Sequence, residues 1–428
     1  MLDIQEQLAL LRRRVARVDR KFARQASSPP LPQPRFDPNP SRYFVEHYLS
    51  GEQVETPFGC HFETERLYES SRRHGSLDIS SLNELPDDLL EAISDGAIPK
   101  SPCARWAFLD TETTGLAGGC GTYAFLIGVG RITPEGFRLR QFFMRDLGEE
   151  SSLLHALGAH LAEFDVLVTY NGKVYDQPLL ETRYRMACSK PPFSRLEHLD
   201  LLFGARRLWK LRFDRCRLVD LENQVLGVER EGDLPGEMIP YVYFEYLRTK
   251  EAFRVVPILH HNAMDIVTLA CLTAIVPWAY RSPEDAPFHH GAELVGLARW
   301  LHRAERFETA LQLFRRALDR DLADDLLFRT MWDVAVLEKK LGRDAAALAV
   351  LTELAACRNA HRLTALEELA KHYEHRERNY AMALEFTLAA LQLADTDRLR
   401  RRRVRLEHRL AGKKQGRALL AFGPAAPT

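Results

Sequence analysis

Residues 108–116 read FLDTETTGL, an apolar run closed by an Asp and a Glu two positions apart. In a strand, residues i and i+2 point to the same face, so Asp110 and Glu112 would project together from the strand's end. Two like charges held that close repel unless a cation neutralises one of them. D-x-E alone is a weak signal. Its position strengthens it, because an apolar strand precedes it and the flexible stretch TTGLAGGCG follows. That glycine-rich stretch leads into TYAFLIGVG, a second strand, whereas nucleotide-binding loops need a helix there. It reads as a glycine-rich β-turn.

Two further acids stand where such a site could recruit them. In TYNGKVYDQPLLETR, Asp176 follows a strand and a polar turn and opens a helix. In HHNAMDIVTLACL, Asp265 lies in an apolar-periodic helix and needs either solvent or a ligand. At about 100° per residue, His261 falls about 40° from Asp265 around that helix and His260 about 140°. Between Trp106 and about Val276 the pattern is α/β. WAFLD, TYAFLIGVG, DVLVTY and LEHLDLL read as strands, and SLLHALGAHLAEF and DQPLLETRYRMA as helices.

The ordered set Asp110 and Glu112, Asp176, then Asp265 resembles the DEDD superfamily of 3′-to-5′ exonucleases, which have a ribonuclease H-like fold. FLDTETTGL, GTYAFLIGVG, YNGKVYDQPLL, HLDLL followed by RRLWK, and HHNAMDIVTL together look like the YprB-type ribonuclease H-like domain, over residues 104–276. The resemblance implies an α/β domain with a mixed central sheet flanked by helices. It also implies that Asp110, Glu112, Asp176 and Asp265 ligate two divalent metals, and that a histidine or tyrosine beside the last aspartate is the general base. Hard oxygen ligands favour magnesium or manganese.

The histidine branch of the superfamily places its base five residues before that aspartate, at His260. The tyrosine branch places it four before, at His261, and Asn171 standing five before Asp176 sides with the second pattern. His261 is the preferred base, with His260 as the alternative if the helix starts only after it. By motif position Tyr170, Asn171 and Lys173 are candidate substrate contacts or supports behind the ligands, and Thr113 and Asn262 candidate substrate contacts. His198 and Asp200 look like another metal pair, but Asp200 reads as structural. Arg206, Arg207, Trp209 and Lys210 would suit phosphates and a stacked base. Trp209 packed inward on a solvated helix edge is the preferred reading.

The remainder of the 428 residues divides by composition. Residues 1–26 form an amphipathic helix with Ile4, Leu8, Leu11, Val15, Val18 and Phe22 at heptad spacing. Residues 27–41 are a proline-rich linker, and 42–103 a wrap around the next domain containing one short helix in LPDDLLEAIS. The ribonuclease H-like domain spans 104–280. An all-helical repeat occupies 290–396, in which Ala310, Phe314 and Ala317 recur as Ala347, Leu351 and Leu354, then as Ala383, Thr387 and Ala390, at periods of 37 and 36 residues. It resembles tetratricopeptide repeats and implies a concave surface for a protein partner. Residues 397–428 are basic, with ten Lys and Arg against one acid in RLRRRRVRLEHRLAGKKQGR. They read equally as a capping helix or as a nucleic-acid tether.

Lys plus Arg equals Asp plus Glu at 59 each, so nucleic-acid contacts must come from local patches. The seven cysteines show no C-x-x-C pair, which argues against a zinc ribbon or a disulfide framework. No membrane span or secretory signal is read, and a cytoplasmic location is expected by default. The expected function is a metal-dependent nuclease, a 3′-to-5′ exonuclease on single-stranded DNA or RNA ends. A non-catalytic nucleic-acid-binding adaptor and a structure-specific endonuclease are the alternatives.

Overall fold

The computed structural model describes residues 44–94, 96–115, 121–286 and 288–421, with side chains described to residue 412. The expected N-terminal helix, the proline-rich linker and the tip of the glycine-rich turn lie outside these residues.

Seven strands form one mixed sheet: β1 (Gly51–Thr56), β2 (Gly59–Glu69), β3 (Trp106–Thr113), β4 (Ala124–Thr133), β5 (Gly136–Phe143), β6 (Val166–Thr169) and β7 (Glu197–Asp200). Their spatial order is β1-β2-β5-β4-β3-β6-β7. The first four pairings are antiparallel, and β3-β6 and β6-β7 are parallel. Acids at the end of β3 therefore sit near the centre of the sheet, beside the start of the parallel half.

The segment 42–103, expected as a wrap, instead supplies β1 and β2, which extend the antiparallel edge of this sheet. Its short helix forms as read, over α1 (Leu89–Ile93). Strand β5 was not singled out in the sequence either. It pairs with β4 and β2 on its two sides, and its alternation of buried Phe137, Leu139 and Gln141 with half-buried Arg138 and Arg140 is short and ends in two consecutive buried phenylalanines.

Helices cover both faces. α2 (Glu150–Leu161), α3 (Asp176–Met186) and α5 (Ile239–Thr249) belong to one side, and α4 (Leu201–Trp209) with α6 (Val256–Arg281) to the other. Alternation along β3 sorts its residues between two cores: Trp106 and Phe108 face α6, while Ala107 and Leu109 face the opposite layer. Asp110 and Glu112 continue the Trp106–Phe108 face, which sets them toward α6. The stretch Ala252–Arg281 is long and apolar enough to cross a membrane, but 72% of its most apolar window is buried inside the protein. It is the central core helix of the domain.

After it come six helices in three antiparallel pairs, α7 (Gly291–Arg303) with α8 (Phe307–Leu318), α9 (Asp324–Lys340) with α10 (Asp344–Ala356), and α11 (Arg362–His375) with α12 (Tyr380–Leu393). All nine repeat positions from Ala310 to Ala390 are buried between paired helices. The first pair packs on the α/β domain in one continuous core. Trp209 is fully buried, as the inward reading expected, and both its indole N–H and Arg212 donate to Glu293 of α7 (3.0 and 2.7 Å). The last helix, α13 (Asp397–Ala421), lays its arginines on α11: Arg405 pairs with Glu374 at 2.7 Å, Arg402 and Arg409 reach the same carboxylate, and Arg398 pairs with Glu367. Much of the basic run is thus spent on closing the helical stack.

Candidate active site

Each acid is positioned by a different local device. Asp110 and Glu112 ride on β3, opposite Gly128 and Leu126 of β4, and the ladder shifts register after Glu112. A β-carbon at Gly128 would stand 2.3 Å from Asn262 Oδ1 and 2.2 Å from Ile266 Cδ1, so glycine there admits α6 to direct contact with the sheet. Through that contact Asn262 donates to Asp110 Oδ2 at 2.9 Å, and Gln141 in turn donates to Asn262 Oδ1 at 2.9 Å. Asn262 is fully buried behind Asp110. Expected as a substrate contact, it is placed instead as a support for the carboxylate.

Asp176 is the first residue of α3 and accepts from Thr111 Oγ1 at 2.5 Å. The turn before it is stapled by Asp200, whose carboxylate accepts the backbone N–H of Asn171 (2.7 Å), Lys173 (3.2 Å) and Leu202 (3.1 Å). Asp200 thus caps α4 and fixes the approach to Asp176 at once, the structural role read for it. His198 is likewise engaged, with Thr169 at 2.8 Å and Gln177 at 2.6 Å. Asn171 adopts a left-handed φ of 67° in the turn. Lys173 and Tyr175 are exposed beside Asp176, whereas Tyr170 turns its hydroxyl away to donate to Cys216 O at 2.5 Å. Thr113 donates to Gly115 O at 2.9 Å at the end of β3.

Asp265 lies one turn beyond His261 in α6. His260, in the same helix, is exposed on another side, where it lines a separate cavity with Thr64, Arg66 and Gln141. The helix starts at Val256, before His260, so the condition that favoured His260 is not met. His261 Nε2 is 3.6 Å from Asp265 Oδ2, and its Nδ1 is 2.8 Å from Asp233 Oδ2.

Arg230, nearly buried, donates to Asp265 Oδ1 (2.5 Å), Glu222 Oε2 (2.5 Å) and Asp233 Oδ2 (3.2 Å). Glu222 is also held by Thr268 at 2.7 Å, and Thr268 is 2.9 Å from His74 Nε2. A cavity of about 630 Å³ opens beside these groups, lined by His261, Asp265, Arg230, Asp233, Val219 and Glu237 among others. Thr111, Glu222, Arg230 and Asp233 were not picked out from the sequence. The last two fall in EREGDLPGE, a loop without periodicity, and their only sequence signal is alternating charge ahead of a Pro-Gly.

Burial raises the pKa of Asp110, and the charges of Asp265 and Asp176 add to it. Glu112 is raised by burial, then by Asp110, Asp265 and Asp176. Burial pushes Asp176 up to about 6 against the hydrogen bond from Thr111. Asp265 is raised by burial, opposed by His261 and Arg230. The four acids therefore share one electrostatic neighbourhood that favours either protons or a cation. Among the described residues no three Asp, Glu, His or Cys side chains converge as a ready-made ion cage, and Thr111, Asn262 and Arg230 engage oxygens of Asp176, Asp110 and Asp265. The donors are nonetheless hard oxygens around a negative centre that Arg230 compensates only in part, which suits a hard divalent cation rather than a soft-ligand metal.

A family model described as RNase_H superfamily matches residues 107–276, the stretch that carries all four acids. The chain is also 32% identical over 357 residues to the protein YprB of Bacillus subtilis (strain 168), covering 80% of this chain and 84% of the relative. The chain belongs to the YprB family. Its α/β domain is of the ribonuclease H superfamily, which points to nuclease-type chemistry on nucleic acid with divalent metals, as is general there. The match with YprB is long enough to extend beyond that domain, into the sheet extension, the helical region or both.

Proposed function

We propose that the protein is a metal-dependent nuclease acting as a 3′-to-5′ exonuclease on single-stranded nucleic-acid ends. Asp110, Glu112, Asp176 and Asp265 would hold two magnesium or manganese ions, and His261 would be the general base. The observation that supports this best is the shared electrostatic neighbourhood of four carboxylates from three separate elements, with His261 beside the last. The bound ions would supply charge neutralisation at the phosphate and a more acidic water.

The chain's own groups would do the rest. Asn262 and Thr111 hold Asp110 and Asp176 in register. His261 would accept the proton of the attacking water at Nε2, the nitrogen not engaged by Asp233. Exposed Tyr175 and Lys173, flanking Asp176, would meet a base and a phosphate of the incoming strand. We read the paired helices as a tetratricopeptide-like stack whose partner is a protein.

The test is degradation of end-labelled single-stranded DNA and RNA with manganese, magnesium or EDTA, beside an Asp110→Asn control. Metal-dependent laddering from the 3′ end, absent in the control, is expected. Cutting of a substrate blocked at both ends would replace the exonuclease with an endonuclease, and binding without cleavage in any metal would remove the catalytic reading.

A further inference from the structure

His261, Asp233, Arg230 and Asp265 form a closed ring. Arg230 bridges the two aspartates (3.2 Å to Asp233, 2.5 Å to Asp265), and His261 stands between them on the other side, 2.8 Å from Asp233 and 3.6 Å from Asp265. The geometry points to Asp233 as a positioning residue that fixes the tautomer and ring orientation of His261. This inference rests on the reading of His261 as the base.

A carboxylate only accepts, so the 2.8 Å contact requires Nδ1 to carry the proton. In the neutral imidazole, the form in which a base acts, Nε2 is then the nitrogen with a free lone pair. At 3.6 Å from Asp265 Oδ2 it is too far for a hydrogen bond and stays available to a water in the adjoining cavity. Without Asp233 the alternative partner is Asp265 itself. A small ring rotation would bring Nε2–H onto Oδ2, which would consume both the lone pair of the base and an oxygen of a proposed metal ligand. Asp233 settles that competition.

Arg230 makes the arrangement rigid. Its planar guanidinium contacts Asp233 and Asp265 at once, so the distance between the two acids flanking the imidazole is set by one buried side chain. Its third contact, to buried Glu222, anchors it through Thr268 to His74 of the hairpin Arg73–His74/Leu77–Asp78. Gly236, three residues after Asp233, lies close to the ring, its β-carbon position 3.9 Å from His261 Nε2.

The experiment uses the full-length chain in five forms: wild type, Asp233→Ala, Asp233→Asn, His261→Ala and the Asp233→Ala/His261→Ala double variant. On an end-labelled single-stranded oligonucleotide with manganese, Asp233→Ala is expected to lower kcat about ten- to a hundredfold while KM stays within about twofold. Asp233→Asn, whose amide oxygen can still accept from Nδ1, should recover most of the loss. In the His261→Ala background the same Asp233→Ala change should cost nothing further.

A second readout needs neither metal nor substrate. In metal-free protein carrying ¹⁵N-labelled histidine, the protonated Nδ1 of His261, identified by its absence in His261→Ala, should be present in wild type and lost in Asp233→Ala. Equal losses of kcat in both backgrounds, or an unchanged Nδ1–H signal in Asp233→Ala, would overturn the role. A wild-type chain that never cleaves would sink the nuclease reading alone, because the imidazole signal still decides whether Asp233 holds the ring.

Discussion

Asn262 of the core helix donates to the Asp110 carboxylate at 2.9 Å, and the residue across the ladder from Asp110 is Gly128, over which that helix closes. Helix, glycine and acid form one unit. A methyl group at Gly128 would fall 2.3 Å from Asn262 Oδ1 and 2.2 Å from Ile266, both in well-packed surroundings. Gly128→Ala should therefore cost about 1–3 kcal/mol of stability by overpacking. It should also weaken manganese binding, because Asn262 is pushed off Asp110. Urea unfolding and titration calorimetry measure the two effects, and an unchanged variant would show that the helix can retreat freely.

Asp200 answers for three backbone N–H groups, two of them in the turn that delivers Asp176. Asp200→Ala leaves these donors without their acceptor and should cost about 1–3 kcal/mol. Cleavage should fall more steeply than stability, since the start of α3 loses its fixed position. Asp200→Asn keeps one acceptor oxygen and should lie between. The check is a urea midpoint for each variant beside its cleavage rate at a temperature where both are folded.

Asp265 and Asp176 raise the pKa of Asp110, and Asp110, Asp265 and Asp176 raise that of Glu112, so the metal-free site holds like charges that repel. Asp110→Asn removes one of those charges and is expected to leave metal-free stability equal or higher while abolishing cleavage. Added manganese should raise the melting temperature of wild type, with about 2.7 kcal/mol gained at a hundredfold excess over Kd, and should do much less for Asp110→Asn. A differential scanning series in manganese and EDTA tests both statements. Destabilisation of the metal-free variant would count against the shared-charge reading.

Away from the site, His160 of α2 is buried between Phe142 and Phe164, and its Nδ1 has no hydrogen-bond partner. Burial, helped by Arg140, pushes its pKa down to about 4. A histidine depressed in the folded state favours unfolding once the unfolded chain can take up the proton. Its stabilising contribution is complete above about pH 6.5 and is lost as pH falls from there toward 4, up to about 3 kcal/mol over the window. His160→Phe keeps the ring contacts and should flatten that part of the pH–stability curve. Identical curves for the two proteins would mean that another group governs the window.

How far the sequence carries can be judged from particular elements. β3, α3 and α6 were legible because each couples a clear apolar pattern to an acid at a fixed place, and the helical pairs were legible because small residues recur wherever two helices touch. Strands β1, β2 and β5 were not. β2 runs through four consecutive buried residues and then three exposed ones, a pattern set by which neighbours happen to cover it and not by the strand's own period. Arg230 and Asp233 were hidden for another reason. Their partners lie some thirty residues away in α6, and the link exists only once the loop folds over that helix.

The basic last helix offers a final test. Glu374 is buried, and Arg402, Arg405 and Arg409 of α13 all reach it. A carboxylate with three guanidinium groups gathers much of the helix's charge into the stack. If α13 is mainly a cap, Glu374→Gln leaves three arginines under-compensated and destabilises the helical region, by about 3 kcal/mol if the buried pairs behave as others do. The released arginines would then be free to bind phosphates, so non-specific affinity for single-stranded RNA at low salt should rise and should fall steeply as salt is added. Reversing the arginines instead, with Arg405→Glu in the wild-type background, should destabilise the stack without that gain. A salt titration of RNA binding for both variants, beside their melting curves, separates the cap from the tether: a tether would lose RNA affinity with Arg405→Glu while its melting curve stayed put.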